Sequence, residues 1–156
     1  IVENRVLRFA STIPVGGDTI DAAIAKSLGV DAKTAETLKK ETGFNDKAKD
    51  LRVFQALVPI VAAVKEEAGK YIAFWQTHSE TKETPSKLFL SGGDAHLVGL
   101  KKYLQKELAM EVEYADPWVN INFPPKYVPG IEKKDSTRFS SSIGLGLYAL
   151  KKEQDL

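Results

Sequence analysis

Two glycine turns and one helical couple carry the groups in this sequence that could do chemistry. Ser91-Gly92-Gly93-Asp94 follows the short apolar run 88–90 and precedes a leucine-rich segment. A Gly-Gly turn at the C-terminal end of a strand leaves no Cβ between backbone and ligand, and the free N–H groups of a following helix attract polar or anionic groups. Any tight strand-to-helix turn also favours glycine, so the motif alone identifies nothing. Gly16-Gly17-Asp18 is a second turn of this kind, for which a strand terminator with a helix cap is an equally good account. Glu36 and Lys39 stand three apart in a helical segment, so their side chains point to one side and could jointly grip a sugar's hydroxyls. A surface ion pair, worth a few tenths of a kcal/mol, is the plainer account of that couple.

Other chemistries are excluded or weak. There is no G-x-x-x-x-G-K-[ST] loop, and Gly144-Leu145-Gly146 sits in a helical segment without the third glycine of a dinucleotide fingerprint. His78 and His96 have no ligand-type partner at i+3 or i+4, which argues against a metal pair. Ser91 and His96 share a loop but form no nucleophile–base arrangement. Trp118, Phe123 and Tyr127, among Pro117, Pro124, Pro125 and Pro129, read either as a peptide-binding patch or as a loop laid over the core.

The elements that must position these groups follow from the apolar spacing. Leu7, Phe9 and Ile13 alternate with Arg8 and Thr12, so residues 7–13 are expected to form a strand, with Glu3-Asn4 turning it back onto residues 1–2. Ile20, Ala23, Ile24 and Leu28 recur at helical spacing up to Gly29, with Asp18 or Thr19 expected as cap. Asp31 caps a second helix over 32–42, closed by Gly43, and Lys39-Lys40 suit its C-terminal dipole. Residues 44–50 are a polar connector. A long helix begins at Leu51 and carries Phe54, Val58, Val61, Ala68, Ile72 and Trp75 inward, with Pro59 marking a kink or a second start. Strand 88–90, a helix with Leu97, Leu100, Leu104 and Leu108 on one stripe, and strand 112–114 make one βαβ unit, the smallest right-handed parallel crossover. Residues 115–139 are mostly loop. A final helix over 140–152 is expected to turn Ile143, Leu147 and Leu150 inward, with Gly144 and Gly146 permitting close backbone approach.

The chain has 156 residues, 43% hydrophobic and 28% charged, which suits one α/β unit with a core and excludes disorder. Its net charge of +1 offers no electrostatic drive toward nucleic acid or an acidic membrane. Without cysteine there is no thiol nucleophile or disulfide, so a cytoplasmic setting is expected. No run of about 18 apolar residues is present to span a bilayer. The first residue is not Met and the opening strand has only part of a hairpin, so the chain is expected to be cut from a longer protein. An open hairpin edge of this kind invites homo-oligomer formation or strand exchange through residues 1–13.

Three motifs in one order carry more than each does alone: I-P-V-G-G-D-T-I-D-A-A-I at 13–24, A-E-T-L-K at 35–39 and L-F-L-S-G-G-D-A-H-L-V-G-L at 88–100. With A-D-P-W at 115–118 and S-I-G-L-G-L at 142–147, the chain resembles the second lobe of the bacterial actin-like ATPases nearly end to end. The resemblance is greatest to the type IV pilus assembly branch (PilM), with the FtsA cell-division branch a near relative. It implies an α/β, ribonuclease H-like lobe: a mixed sheet with flanking helices in subdomain IIA (1–17 and 61–156) and an inserted helical IIB (18–60). The connector 44–50 is too short for the strands that IIB carries in the cell-division relatives.

The resemblance also implies a nucleotide site. Gly92, Gly93 and Asp94 match the family's adenosine motif, Glu36 and Lys39 its E-x-x-K pair on ribose and adenine, and Gly16 and Gly17 the turn after its second phosphate hairpin. ATP and magnesium are the implied cofactors. The implied partners are inner-membrane pilus assembly proteins, met at the cytoplasmic face without membrane insertion or nucleic acid. Departures limit this. The D-x-G-x-x-x-T motif would precede Ile1, the first phosphate loop belongs to the other lobe, and Ser11 stands where a basic residue is often found. The chain alone is therefore expected not to hydrolyse ATP, whatever weak turnover the intact protein has. The tail Lys151-Lys152-Glu153-Gln154-Asp155-Leu156 lacks the apolar face of a division-type membrane anchor. An actin-fold small-molecule kinase, or an interaction module that binds no nucleotide, are the remaining readings.

Overall fold

A computed structural model describes residues 1–124, 126–127 and 129–154. Pro125 of the proline cluster and the tail residues Asp155 and Leu156 lie outside the described residues. The chain runs β1 (Val2–Glu3), β2 (Val6–Leu7), α1 (Gly17–Leu28), α2 (Ala32–Glu41), α3 (Arg52–His78), β3 (Lys87–Leu90), α4 (Leu100–Glu107), β4 (Glu111–Tyr114), α5 (Lys133–Ser136) and α6 (Ser140–Gln154). This is a mixed α/β lobe with two small two-stranded sheets, one antiparallel and one parallel.

β1 and β2 form the expected hairpin, paired Val2 with Leu7 and Glu3 with Val6. The turn falls one residue later than expected: Asn4 and Arg5 both take positive φ, 51° and 65°, the two-residue primed turn whose twist matches a hairpin. The strand expected over 7–13 stops at Leu7. Beyond it Arg8 and Phe9 donate to the Ile1 carbonyl, and Phe9 then packs its ring against Tyr71 and Phe74 of α3, at 5.6 and 5.3 Å. Backbone bonds to Ile1 thus reach as far as Phe9, whose carbonyl also accepts from the Ile1 ammonium at 2.6 Å, and aromatic packing on a helix fixes the ring.

α1 begins earlier than expected. Its N-cap is Gly16, with no side-chain cap bond, so neither Asp18 nor Thr19 caps it; Asp18 sits in the first turn, where a carboxylate suits the dipole. Gly29 ends it at φ +68°. Asp31 caps α2 as expected, accepting from Thr34 N–H at 2.9 Å and from its hydroxyl at 2.9 Å. α3 runs unbroken through Pro59. The core lies where these three helices meet: Ile20 and Ile24 of α1, Ala35 of α2, and Val53, Leu57 and Val61 of α3, with Phe44 and Leu97 joining them.

β3 and β4 pair in parallel, Lys87 with Glu111 through Leu90 with Tyr114, which establishes the βαβ unit. Its helix is not continuous. A 3-10 turn spans Gly93–His96, and α4 starts only at Leu100 after Gly99, at φ +82°. The interruption has a tertiary cause: a Cβ on Gly99 would lie 1.9 Å from the Phe44 carbonyl oxygen, and Phe44 N–H donates to Val98 O at 2.8 Å. The connector after α2 crosses the backbone here, and only glycine admits it.

α6 departs from expectation in two ways. Ile143 and Leu147 are half-buried, but Leu150 is 60% exposed. Apart from its chain neighbours and the helix's own backbone, no atom of the described residues comes within 4 Å of a Cβ on Gly144 or Gly146, so the close approach expected there does not occur. Among the described residues no helix is long and apolar enough to cross a membrane.

Candidate functional site

The Ser91–Asp94 turn faces the α1–α2 pair across an open cavity of about 450 Å³, within the usual range for small-molecule sites. Gly17, Asp18 and Asp21 of α1 line it, with Glu36, Lys39 and Lys40 of α2, Gly93 to Leu97 beyond the turn except Ala95, and Lys134, Asp135 and Arg138. Of the residues singled out by sequence, Gly17, Glu36, Lys39, Gly93 and Asp94 thus meet in one wall. Gly16 and Gly92 do not line it. Gly16 caps α1, and Gly92, at φ +101°, shapes the turn from behind.

Segment 136–140 pins that turn. Gly92 N–H donates to Thr137 O at 3.0 Å, the Thr137 hydroxyl donates to Gly92 O at 3.3 Å, and the Ser91 hydroxyl donates to the Ser140 hydroxyl oxygen at 2.7 Å. Ser136 and Thr137 are fully buried. Gly93 is then left bare toward the cavity: a Cβ there would meet only Arg138 Nε, at 3.9 Å.

Lys39 is the buried charge of the site, its side chain 9% exposed. Its Nζ lies 2.9 Å from Asp21 Oδ2 and 3.2 Å from Asp94 Oδ1. Burial alone would lower its pKa, but the two carboxylates outweigh that and hold the ammonium above its ordinary value. Gly17 makes the arrangement possible, since a Cβ there would stand 2.6 Å from Asp94 Oδ2. Glu36 takes no part in this cluster. It pairs with Lys40 at 2.6 Å on the exposed rim, and that hydrogen bond holds its carboxyl below the usual range.

His96 stacks on Tyr114 with centroids 4.1 Å apart, and burial, with the charge of Lys134, pushes its pKa below the ordinary value. Its Nε2 and Asp21 Oδ1 are buried without hydrogen-bond partners among the described residues. Both residues line the cavity. Unsatisfied polar atoms beside a bare glycine wall, with carboxylate and ammonium groups close by, suit the hydroxyls and ring nitrogens of a nucleoside. Among the described residues no group of three His, Asp or Glu side chains converges as it would for a metal.

Sequence reasoning missed Asp21, Ser136, Thr137 and Arg138. Asp21 lies 18 residues from Lys39 and the 136–138 segment lies 45 from Gly92, so no local spacing could flag them.

A parallel βαβ turn closed against a helical pair over a charged cavity is the arrangement of one lobe of the actin-like ATPases. A solved structure, the PilM-PilN type IV pilus biogenesis complex, matches with a TM-score of 0.69 and 25% identity, over 85% of this chain and 36% of that one. The cell division protein FtsA of Bacillus subtilis (strain 168) is 24% identical over 149 residues, 84% of this chain and 34% of its own length. The sequence model of the type IV pilus assembly protein PilM family matches residues 1–150, and the chain belongs to that family. It spans about a third of the length of the relatives it matches.

Proposed function

We propose that this chain is the nucleoside-binding lobe of an ATP-binding scaffold that works in type IV pilus assembly. The observation that carries the reading is the convergence of Gly93, Asp94, Glu36 and Lys39, from elements more than 50 residues apart, on one cavity. Residues 18–60 would form the helical insertion and residues 1–17 and 61–156 the body of the lobe. Gly93 would lie against the nucleoside face, Lys39 and Glu36 would meet its hydroxyls and base edge, and Gly16 and Gly17 would stand nearer the phosphates. Mg-ATP, when held by this lobe and a second one, would tie the two together and favour a closed form that partners could read. The structural relative is a complex of PilM with PilN, which supports a pilus-assembly partner for this protein too, with the chain held at the cytoplasmic face of the inner membrane through such partners.

The test is calorimetry with Mg-ATP on the chain and on Gly93→Trp. A Cβ on Gly93 would meet only Arg138 Nε, at 3.9 Å, so the variant is expected to fold with an unchanged melting curve while its indole occupies the cavity wall. ATP affinity is expected to fall at least tenfold. An unchanged affinity refutes the assignment.

A further inference from the structure

Three elements converge on one atom. Lys39 Nζ, on α2, is held by Asp21 Oδ2 of α1 at 2.9 Å and by Asp94 Oδ1 of the glycine turn at 3.2 Å. An ammonium has three N–H donors, and two are committed. Glu36, its partner in the sequence motif, is engaged instead with Lys40 on the exposed rim. Lys39 is therefore the member of the couple whose position is set, and Asp21 makes the shorter of its two bonds. The other Asp21 oxygen, Oδ1, is buried without a hydrogen-bond partner among the described residues, so the bond to Lys39 is the contact that side chain makes there.

We propose that Asp21 is the positioning residue of the nucleotide site: with Asp94 it fixes Lys39 and turns that lysine into a donor for an uncharged acceptor. The proposal rests on the nucleotide reading above. Its chemistry follows from the local charge. One ammonium between two carboxylates carries a net charge of −1, which disfavours a phosphate at the remaining N–H and favours a neutral acceptor such as a ribose hydroxyl oxygen or a ring nitrogen. That acceptor lies at the nucleoside end, where the reading above already places Lys39.

The experiment is calorimetry with adenosine and with Mg-ATP on the chain, Asp21→Asn, Lys39→Met, the double variant, and Glu67→Gln on the distant face of α3 as control. Asp21→Asn is expected to weaken adenosine about tenfold, to weaken ATP less because the cluster becomes neutral, and to cost nothing further once Lys39 is methionine. Glu67→Gln stays within twofold. Wild-type affinity in Asp21→Asn, or an equal loss in both Lys39 backgrounds, overturns the proposal while leaving the nucleotide reading intact. Failure of the unaltered chain to bind either ligand overturns both. Should Asp21→Asn not fold, lysine-selective NMR of the unaltered chain decides: a persistent ammonium signal, assigned by its loss in Lys39→Met, supports the fixed lysine, and its absence overturns it.

Discussion

Replacing Gly99 by alanine places a methyl carbon 1.9 Å from the Phe44 carbonyl oxygen, at a residue whose φ is +82°. Gly29→Ala is the matched reference, since Gly29 has φ +68° and open space around its would-be Cβ. Both variants bear the backbone strain of a left-handed L-residue, about 1–2 kcal/mol. Only Gly99→Ala must also push the crossing segment away. That breaks the 2.8 Å bond from Phe44 N–H to Val98 O, worth about 1 kcal/mol. It also opens the ring contacts of Phe44 with Phe54 at 4.6 Å and Tyr103 at 5.0 Å, each worth about 0.5–1.5 kcal/mol. The expected costs are about 3–6 kcal/mol for Gly99→Ala and about 1–2 kcal/mol for Gly29→Ala. Urea unfolding followed by circular dichroism reads both. Equal costs would refute the reasoning, because the close approach would then carry no energy.

Acid stability is expected to fall in two stages. His96 has a native pKa below its ordinary 6.5, so the unfolded chain takes up the proton first and stability declines as pH drops below about 6.5; His96→Gln abolishes that slope. Asp50, lowered to about 2 by its bonds from Arg52, and Asp31 and Asp116, lowered by bonds from Thr34 and Lys133, contribute stability that is present above about pH 4. That contribution is lost as pH falls through their native values, so melting temperatures drop more steeply from about pH 4 toward 2. Leu57→Ala, at a fully buried position where α3 meets α1, is expected to cost about 2–5 kcal/mol in the same urea assay.

What the sequence made legible was local. The Gly29 stop, the Asp31 cap, the hairpin and the parallel crossover each depend on residues within a few positions, or on one strand–helix–strand period. What it hid was tertiary. A leucine stripe from Leu97 to Leu108 reads as one helix until Phe44 arrives at Gly99 and forces a break. Residues 8–13 alternate like a strand, yet their aromatic member packs on α3. Leu150 continues a helical period yet stays 60% exposed. At the site, the glycine turn and the Glu36–Lys39 couple were visible as motifs. That Lys39 alone would be buried, between two carboxylates from different elements, was not.

The cavity takes its walls from residues 17–40, 93–97 and 134–138. The first of these stretches belongs to helices joined by short connections, whose contacts close in microseconds to milliseconds. The others depend on the parallel pairing of Lys87 with Glu111 and on the return of Thr137 to Gly92 across 45 residues, loops whose closure entropy must be met before any contact repays it. The cavity is therefore expected to close late in folding, and a stopped-flow signal from a ligand held in it would time that closure rather than the collapse of the helices.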